Sequence, residues 1–137
     1  AQQVWTPDNG DGTFTNPIMW GDWPDPDIIR VGDDFYMVST SMHYVPGCPV
    51  ATSKDLVNWR QIGHVLDRPS QLKVEDTGIS AGIYAPTIRY NPHNDTFYMI
   101  TTQFAGGIGN MVVKTKDPAE GWSDPIILHR PRPLLRR

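Results

Sequence analysis

Cysteine is almost missing from this 137-residue sequence: Cys48 stands alone, so no disulfide can form within the chain, and the residue reads as a small buried apolar group. Long hydrophobic runs are missing too. No stretch approaches the roughly 18 apolar residues of a spanning helix, which excludes a membrane partner. The formal charge of −3 leaves no basic stripe for a phosphate backbone, which excludes nucleic acid. His43, His64, His93 and His129 show no ligand spacing, and no cysteine cluster accompanies them, so no metal cofactor is expected. Glutamate occurs twice, at Glu75 in a polar loop and at Glu120 in a surface turn.

What the chain has in quantity is punctuation. Thirteen Pro and twelve Gly separate short runs of alternating apolar and polar residues, which leaves little room for helices and predicts an all-β fold. Strands are expected at 28–31, 34–39, 87–90, 96–101 and 110–114. Connections at Val31-Gly32-Asp33-Asp34 and 91–95 join them as hairpins. The 39% apolar content could supply a modest core for one domain.

These runs repeat. Asp34-Phe35-Tyr36-Met37-Val38-Ser39-Thr40 answers Thr96-Phe97-Tyr98-Met99-Ile100-Thr101-Thr102 at an offset of 62 residues, and Ser53-Lys54-Asp55 answers Thr115-Lys116-Asp117 at the same offset. Pro26-Asp27-Ile28 answers Pro86-Thr87-Ile88 at 60, so two residues are gained in the second hairpin. A repeat of about four strands closed by a Lys-Asp…Trp turn is the size of one propeller blade. Residues 16–78 and 79–128 are therefore expected to be two blades of a partial propeller, preceded by an extension over 1–15 and followed by a non-homologous or disordered tail over 129–137. Two blades cannot close a ring, so the chain reads as incomplete, with exposed blade edges open to self-association. Ala1-Gln2-Gln3 has the look of a terminus left by signal peptidase, which predicts a secreted or periplasmic protein; an arbitrary boundary is the other reading.

In a propeller, side chains at the start of each innermost strand converge on one end of the central channel. Trp23-Pro24-Asp25-Pro26-Asp27 holds that position in the first unit and Ile83-Tyr84-Ala85-Pro86-Thr87 in the second, so Asp25 replaces an alanine. A carboxylate held between two prolines, with an aromatic before it, suits a positioned general base; the alternative is a turn residue capping a strand entry. Asp22 and Asp27 read as structural. Aromatic faces and neutral polar groups for sugar rings are available at Trp23, His43, Tyr44, Tyr84 and Phe104, each of which could equally serve packing. Trp59 and Trp122 recur with the repeat and are read as blade packing.

Asn16-Pro17-Ile18, the run from Trp23 to Met37, the turn Ser53-Lys54-Asp55-Leu56-Val57-Asn58-Trp59 and Tyr84-Ala85-Pro86 together resemble glycoside hydrolase family 43, over roughly residues 16 to 128. The resemblance implies a five-bladed β-propeller that hydrolyses β-xylosides, α-L-arabinofuranosides or related arabinans with inversion. Its partner would be a pentose-containing oligosaccharide or polysaccharide of the plant cell wall. Asp25 takes the general-base role by motif. Gln103 stands where the resemblance implies a carboxylate tuning the general acid, and can only hydrogen-bond there. Either the correspondence slips, or that carboxylate comes from elsewhere, or catalysis is impaired. The general acid, a glutamate of the third blade, is not reached, and neither Glu75 nor Glu120 fits. Some members hold a calcium near the channel; nothing in this sequence identifies ligands for it. The second reading is a catalytically inactive carbohydrate-binding fragment or a truncated gene product.

Overall fold

The computed structural model describes residues 4–72, 78–104 and 108–128; Glu75, the 129–137 stretch with His129, and Ala1-Gln2-Gln3 lie outside them. Eight strands follow in chain order: β1 (Asp27–Val31), β2 (Asp34–Val38), β3 (Gly47–Ser53), β4 (Trp59–Leu66), β5 (Ile83–Asn91), β6 (Thr96–Gln103), β7 (Gly109–Thr115) and β8 (Ile126–Ile127). They form two four-stranded antiparallel sheets, ordered β1-β2-β3-β4 and β5-β6-β7-β8.

The strands read from alternation are β1, β2, β5, β6 and β7. Those not read singly, β3 and β4, carry Gly47, Pro49 and Gly63, and a register shift between Val50 and Ala51 breaks their period. β8 is too short for a period to show.

Equivalent residues hold equivalent places. Phe35 pairs with Arg30 and Ser53, while Phe97 pairs with Tyr90 and Thr115. The first hairpin turns through two residues between Val31 and Asp34, the second through four between Asn91 and Thr96, which is where the offset changes from 60 to 62.

The two sheets pack face to face. Val38 and Val50 of the first share one core cluster with Ile88, Phe97, Met99 and Val113 of the second. Tyr36 of the first sheet meets the Phe97 ring edge-on at a centroid distance of 5.1 Å. Each fully buried aliphatic contributes about 1.5–3 kcal/mol. At one end the chain after β2 crosses to β5: Met42 and Ile83 exchange two backbone hydrogen bonds of 2.9 Å, closing a bridge between the sheets. Gly82 makes that approach possible, because a Cβ there would sit 1.9 Å from the Met42 carbonyl oxygen.

Candidate active site

The head of β1 is fixed before any side chain is considered. Pro24 and Pro26 each lock φ at about −65°. The Pro24 carbonyl accepts the Ser39 hydroxyl at 2.6 Å and the Thr40 amide at 2.9 Å. Asp25 lies between them with φ +47°, in the left-handed region that aspartate tolerates better than most residues. At the head of the second sheet Ala85 has φ +43°, and the Tyr84 carbonyl accepts the Thr101 hydroxyl at 2.8 Å. The backbone geometry thus belongs to the repeated unit. What is particular to the first sheet is that a carboxylate stands where the second has a methyl group.

That carboxylate is exposed, while the group that holds it is not. Thr40, 4% exposed, donates its hydroxyl proton to Asp25 Oδ2 at 2.7 Å and accepts the Ala85 amide at 2.7 Å. Among the described residues Asp25 Oδ1 takes no hydrogen bond. Asp27, two residues on, serves the scaffold instead. Its Oδ2 accepts the Ile88 amide at 2.8 Å and pairs with Arg89 Nη1 at 2.7 Å, tying β1 to β5.

The aromatic candidates divide between a cleft and a border. Trp23 and Tyr44 line a cleft of about 320 Å³ together with Trp20, Thr40, Gln61 and His64. His43 stacks on Tyr44 at 4.5 Å and accepts the Ser80 amide on Nδ1 at 3.2 Å. The Tyr84 hydroxyl donates to the Ser80 carbonyl, and Phe104 meets the Tyr84 ring edge-on at 5.4 Å. Ser80 therefore joins His43, Tyr44, Tyr84 and Phe104 into one continuous rim. Gln103 is not gathered with them: it is 1% exposed and lines a separate cavity of about 290 Å³ with Gln71, Met111 and Ile127.

Three polar residues of this cleft, of which Thr40 alone bonds Asp25, have no motif to mark them. Thr40 belongs to the run shared with 96–102, which makes it look like scaffold. Gln61 and His64, whose Nε2 atoms lie 3.3 Å apart, stand out only as polar positions on a strand that also carries Ile62, Val65 and Leu66. Burial pushes the His64 imidazole below its ordinary pKa, with the Asp67 charge opposing, so the ring is neutral at neutral pH. Among the described residues no group of three or more His, Cys, Asp or Glu could hold a metal ion. A larger groove of about 760 Å³ on the open face of the first sheet is lined by Ile18, Met19, Ile28, Leu56 and Trp59 and, among the described residues, by no titratable group, which suits packing rather than chemistry.

An exposed carboxylate with one open oxygen, joined through Thr40 to a cleft of aromatic faces and neutral hydrogen-bonding groups, is suited to binding a sugar and activating water near it. Comparison with known proteins points the same way. The family model for glycosyl hydrolases family 43 matches residues 14–134. A xylosidase/arabinosidase of Butyrivibrio fibrisolvens is 54% identical over 113 residues, covering 82% of this chain and 21% of its own length. A non-reducing end α-L-arabinofuranosidase of Bacteroides ovatus is 50% identical over 117 residues, covering 83% and 22%. The crystal structure of a family 43 protein retrieved from a capybara gut metagenome superposes with a TM-score of 0.79 at 62% identity, again over 83% of this chain and 22% of the other. The chain thus spans about a fifth of the length of the relatives it matches. A family match of that extent, to a chain that shares half its residues with such relatives over most of its length, makes this protein a member of the glycosyl hydrolases of family 43.

Proposed function

We propose that this protein is the N-terminal part of a five-bladed propeller glycosidase that hydrolyses plant-cell-wall pentosides with inversion, using Asp25 as its general base. The reading is carried by one observation: the exposed Asp25 carboxylate, held on Oδ2 and open on Oδ1, stands where the repeated unit otherwise has an alanine. The names of the two relatives support β-xylosides and α-L-arabinofuranosides as substrates. In the inverting reaction Asp25 takes a proton from water as that water attacks the anomeric carbon. A carboxylic acid about 6.5–9.5 Å away protonates the leaving oxygen. In this reading that acid comes from a later blade; the one glutamate among the described residues, Glu120, sits exposed in the turn between β7 and β8. Polymeric substrates are met outside the cell, which favours a secreted or periplasmic enzyme.

For the chain by itself the sugar-binding reading without catalysis is favoured, because the described residues hold the base and the aromatic rim and no partner acid. The test uses the protein extended through the remaining blades. Asp25→Asn should lower turnover of aryl β-xylosides and α-L-arabinofuranosides by about 10²–10⁴, whereas Asp27→Asn, which removes only a clamp charge, should act mainly on stability. Wild-type turnover in Asp25→Asn would remove Asp25 from the role of base.

A further inference from the structure

We infer that Thr40 is a positioning residue for Asp25: its hydroxyl, committed to donate toward the carboxylate, presents Oδ1 to the attacking water. The inference rests on the general-base reading above and goes beyond it by naming the group that orients the base. A threonine hydroxyl has a single proton. The Ala85 amide can only donate, and it occupies an acceptor position of Thr40 Oγ1 at 2.7 Å. The hydroxyl proton is left for Asp25 Oδ2, also at 2.7 Å. The carboxylate is thereby tethered through one oxygen, while the other takes no hydrogen bond among the described residues.

The repeat supplies an internal control. Ser39 and Thr101 do the same work in the two sheets, each donating to the carbonyl of the residue before the left-handed position. Thr40 and Thr102 do not. The Thr102 hydroxyl donates to Asn110 Oδ1 at 2.6 Å within its own sheet, whereas the Thr40 hydroxyl bonds Asp25 at the head of the first sheet and reaches across to Ala85 of the second. The difference follows the carboxylate. Thr40 also meets a structural need, because Ala85 lies at the register shift between Tyr84 and Thr87, where its amide has no place in the ladder. One hydroxyl therefore ties the sheet junction to the orientation of the base.

The experiment measures kcat and KM on aryl β-xylosides and α-L-arabinofuranosides in the protein extended through the remaining blades, for Thr40→Val, Thr40→Ser, Thr102→Val and Asp25→Asn. Thr40→Val should lower kcat about 10- to 100-fold, the scale of one lost hydrogen bond to a charged group, with KM changed less than about threefold. Thr40→Ser, which keeps the hydroxyl and loses the methyl, should stay within about threefold of wild type in kcat. Thr102→Val should leave kcat unchanged. If the valine variant does not fold, the serine variant decides alone: a kcat loss of tenfold or more would show that packing of the methyl group, not the hydroxyl, matters and would overturn the inference. An unchanged kcat in folded Thr40→Val overturns it too. Should Asp25→Asn abolish turnover while Thr40→Val does not lower it, the base stands and only the positioning role falls; should Asp25→Asn keep turnover, both fall.

Discussion

Asp25 and Ala85 occupy one conformation at the heads of the two sheets, with φ of +47° and +43°, and a single hydroxyl, that of Thr40, bonds the side chain of the first and the amide of the second. A left-handed backbone in a non-glycine residue costs about 1–3 kcal/mol and often marks a functional site. Here the conformation recurs where there is no functional group. It is therefore a property of the strand head, and the carboxylate is an addition to it. Asp25→Ala should accordingly fold as wild type does, with stability lowered by no more than about 1–2 kcal/mol from the lost Thr40 bond. Denaturant unfolding of the variant checks this; failure to fold would mean that the carboxylate holds the strand head.

Gly82 sits beside the Met42–Ile83 bridge between the sheets, and a methyl group there would lie 1.9 Å from the Met42 carbonyl oxygen, a backbone atom that cannot rotate away. Gly82→Ala should force the Met42–Ile83 bridge apart and lower stability by about 1–3 kcal/mol or more. Gly78→Ala, with nothing among the described residues within 4 Å of the new methyl, should stay within about 0.5 kcal/mol of wild type. Equal denaturation midpoints for the two variants would contradict the junction as described.

Cys48 is fully buried in the core of the first sheet, and burial pushes its thiol up to about 12. The thiolate is the reactive form, so a thiol reagent at neutral pH should label Cys48 only as fast as the structure opens, and stoichiometrically once it is denatured. Rapid labelling of the native protein would show that β3 is not packed as described.

Much of this fold could be read from residue spacing, and the reasons for what could not are local. The hairpin strands β1, β2, β5 and β6 stand out as short β-branched and aromatic runs between turns, and β1 alternates cleanly between a half-buried and an exposed face. β3 and β4 hide theirs behind Pro49, Gly63 and a bulge. The substitution of Asp25 for Ala85 was visible in the repeat because a chemical change at an otherwise repeated position stands out. Thr40 was hidden by the same repeat, since its functional difference from Thr102 lies in which partner its hydroxyl finds and not in its identity. The rim built on Ser80 depends on a backbone crossing that no spacing encodes.

The turn between β3 and β4 carries a pH dependence whose sign can be worked out. The Asn58 amide and side chain, then the Val57 amide, donate to Asp55 and hold its carboxyl well below the ordinary 3.8. Asn58 also donates to Asp8, itself lowered chiefly by the Gly10 amide, so the turn anchors the N-terminal segment. A depressed carboxyl pKa gives stability that is present above the unfolded-state value and lost as pH falls through the folded one. Between neutrality and about pH 4 Asp55 should therefore contribute a constant amount, and below about pH 4 that contribution should drain away. Asp55→Asn should be less stable than wild type at pH 7 and converge toward it in acid. Melting curves across the range check the convergence; a constant gap at every pH would mean the bonds do not distinguish the charged form.

Association follows from comparing Ile28 with Ile88. The two are equivalent in register, Ile28 opposite Met37 and Ile88 opposite Met99, yet Ile88 is 0% exposed and Ile28 is 43% exposed. Ile88 is covered because the first sheet lies on that face of the second. Among the described residues no sheet lies over the same face of the first, which forms with Ile18 and Met19 the apolar groove that includes Leu56 and Trp59. At the other end, the outer face of the second sheet leaves Ile100 45% and Ile126 59% exposed. These two faces are of the kinds that already pack together inside the molecule, so one copy can lay its second sheet on the first sheet of the next. Such a contact is head to tail, not two-fold symmetric, and does not limit itself to a dimer. The isolated chain should therefore show an average mass by light scattering that rises with concentration. Ile28→Lys, which places a charge in the groove, should lower it toward the monomer without disturbing β1, because the position is already partly open to water. A single monodisperse monomer at every concentration would sink this expectation, and an unchanged mass distribution in Ile28→Lys would locate the contact elsewhere.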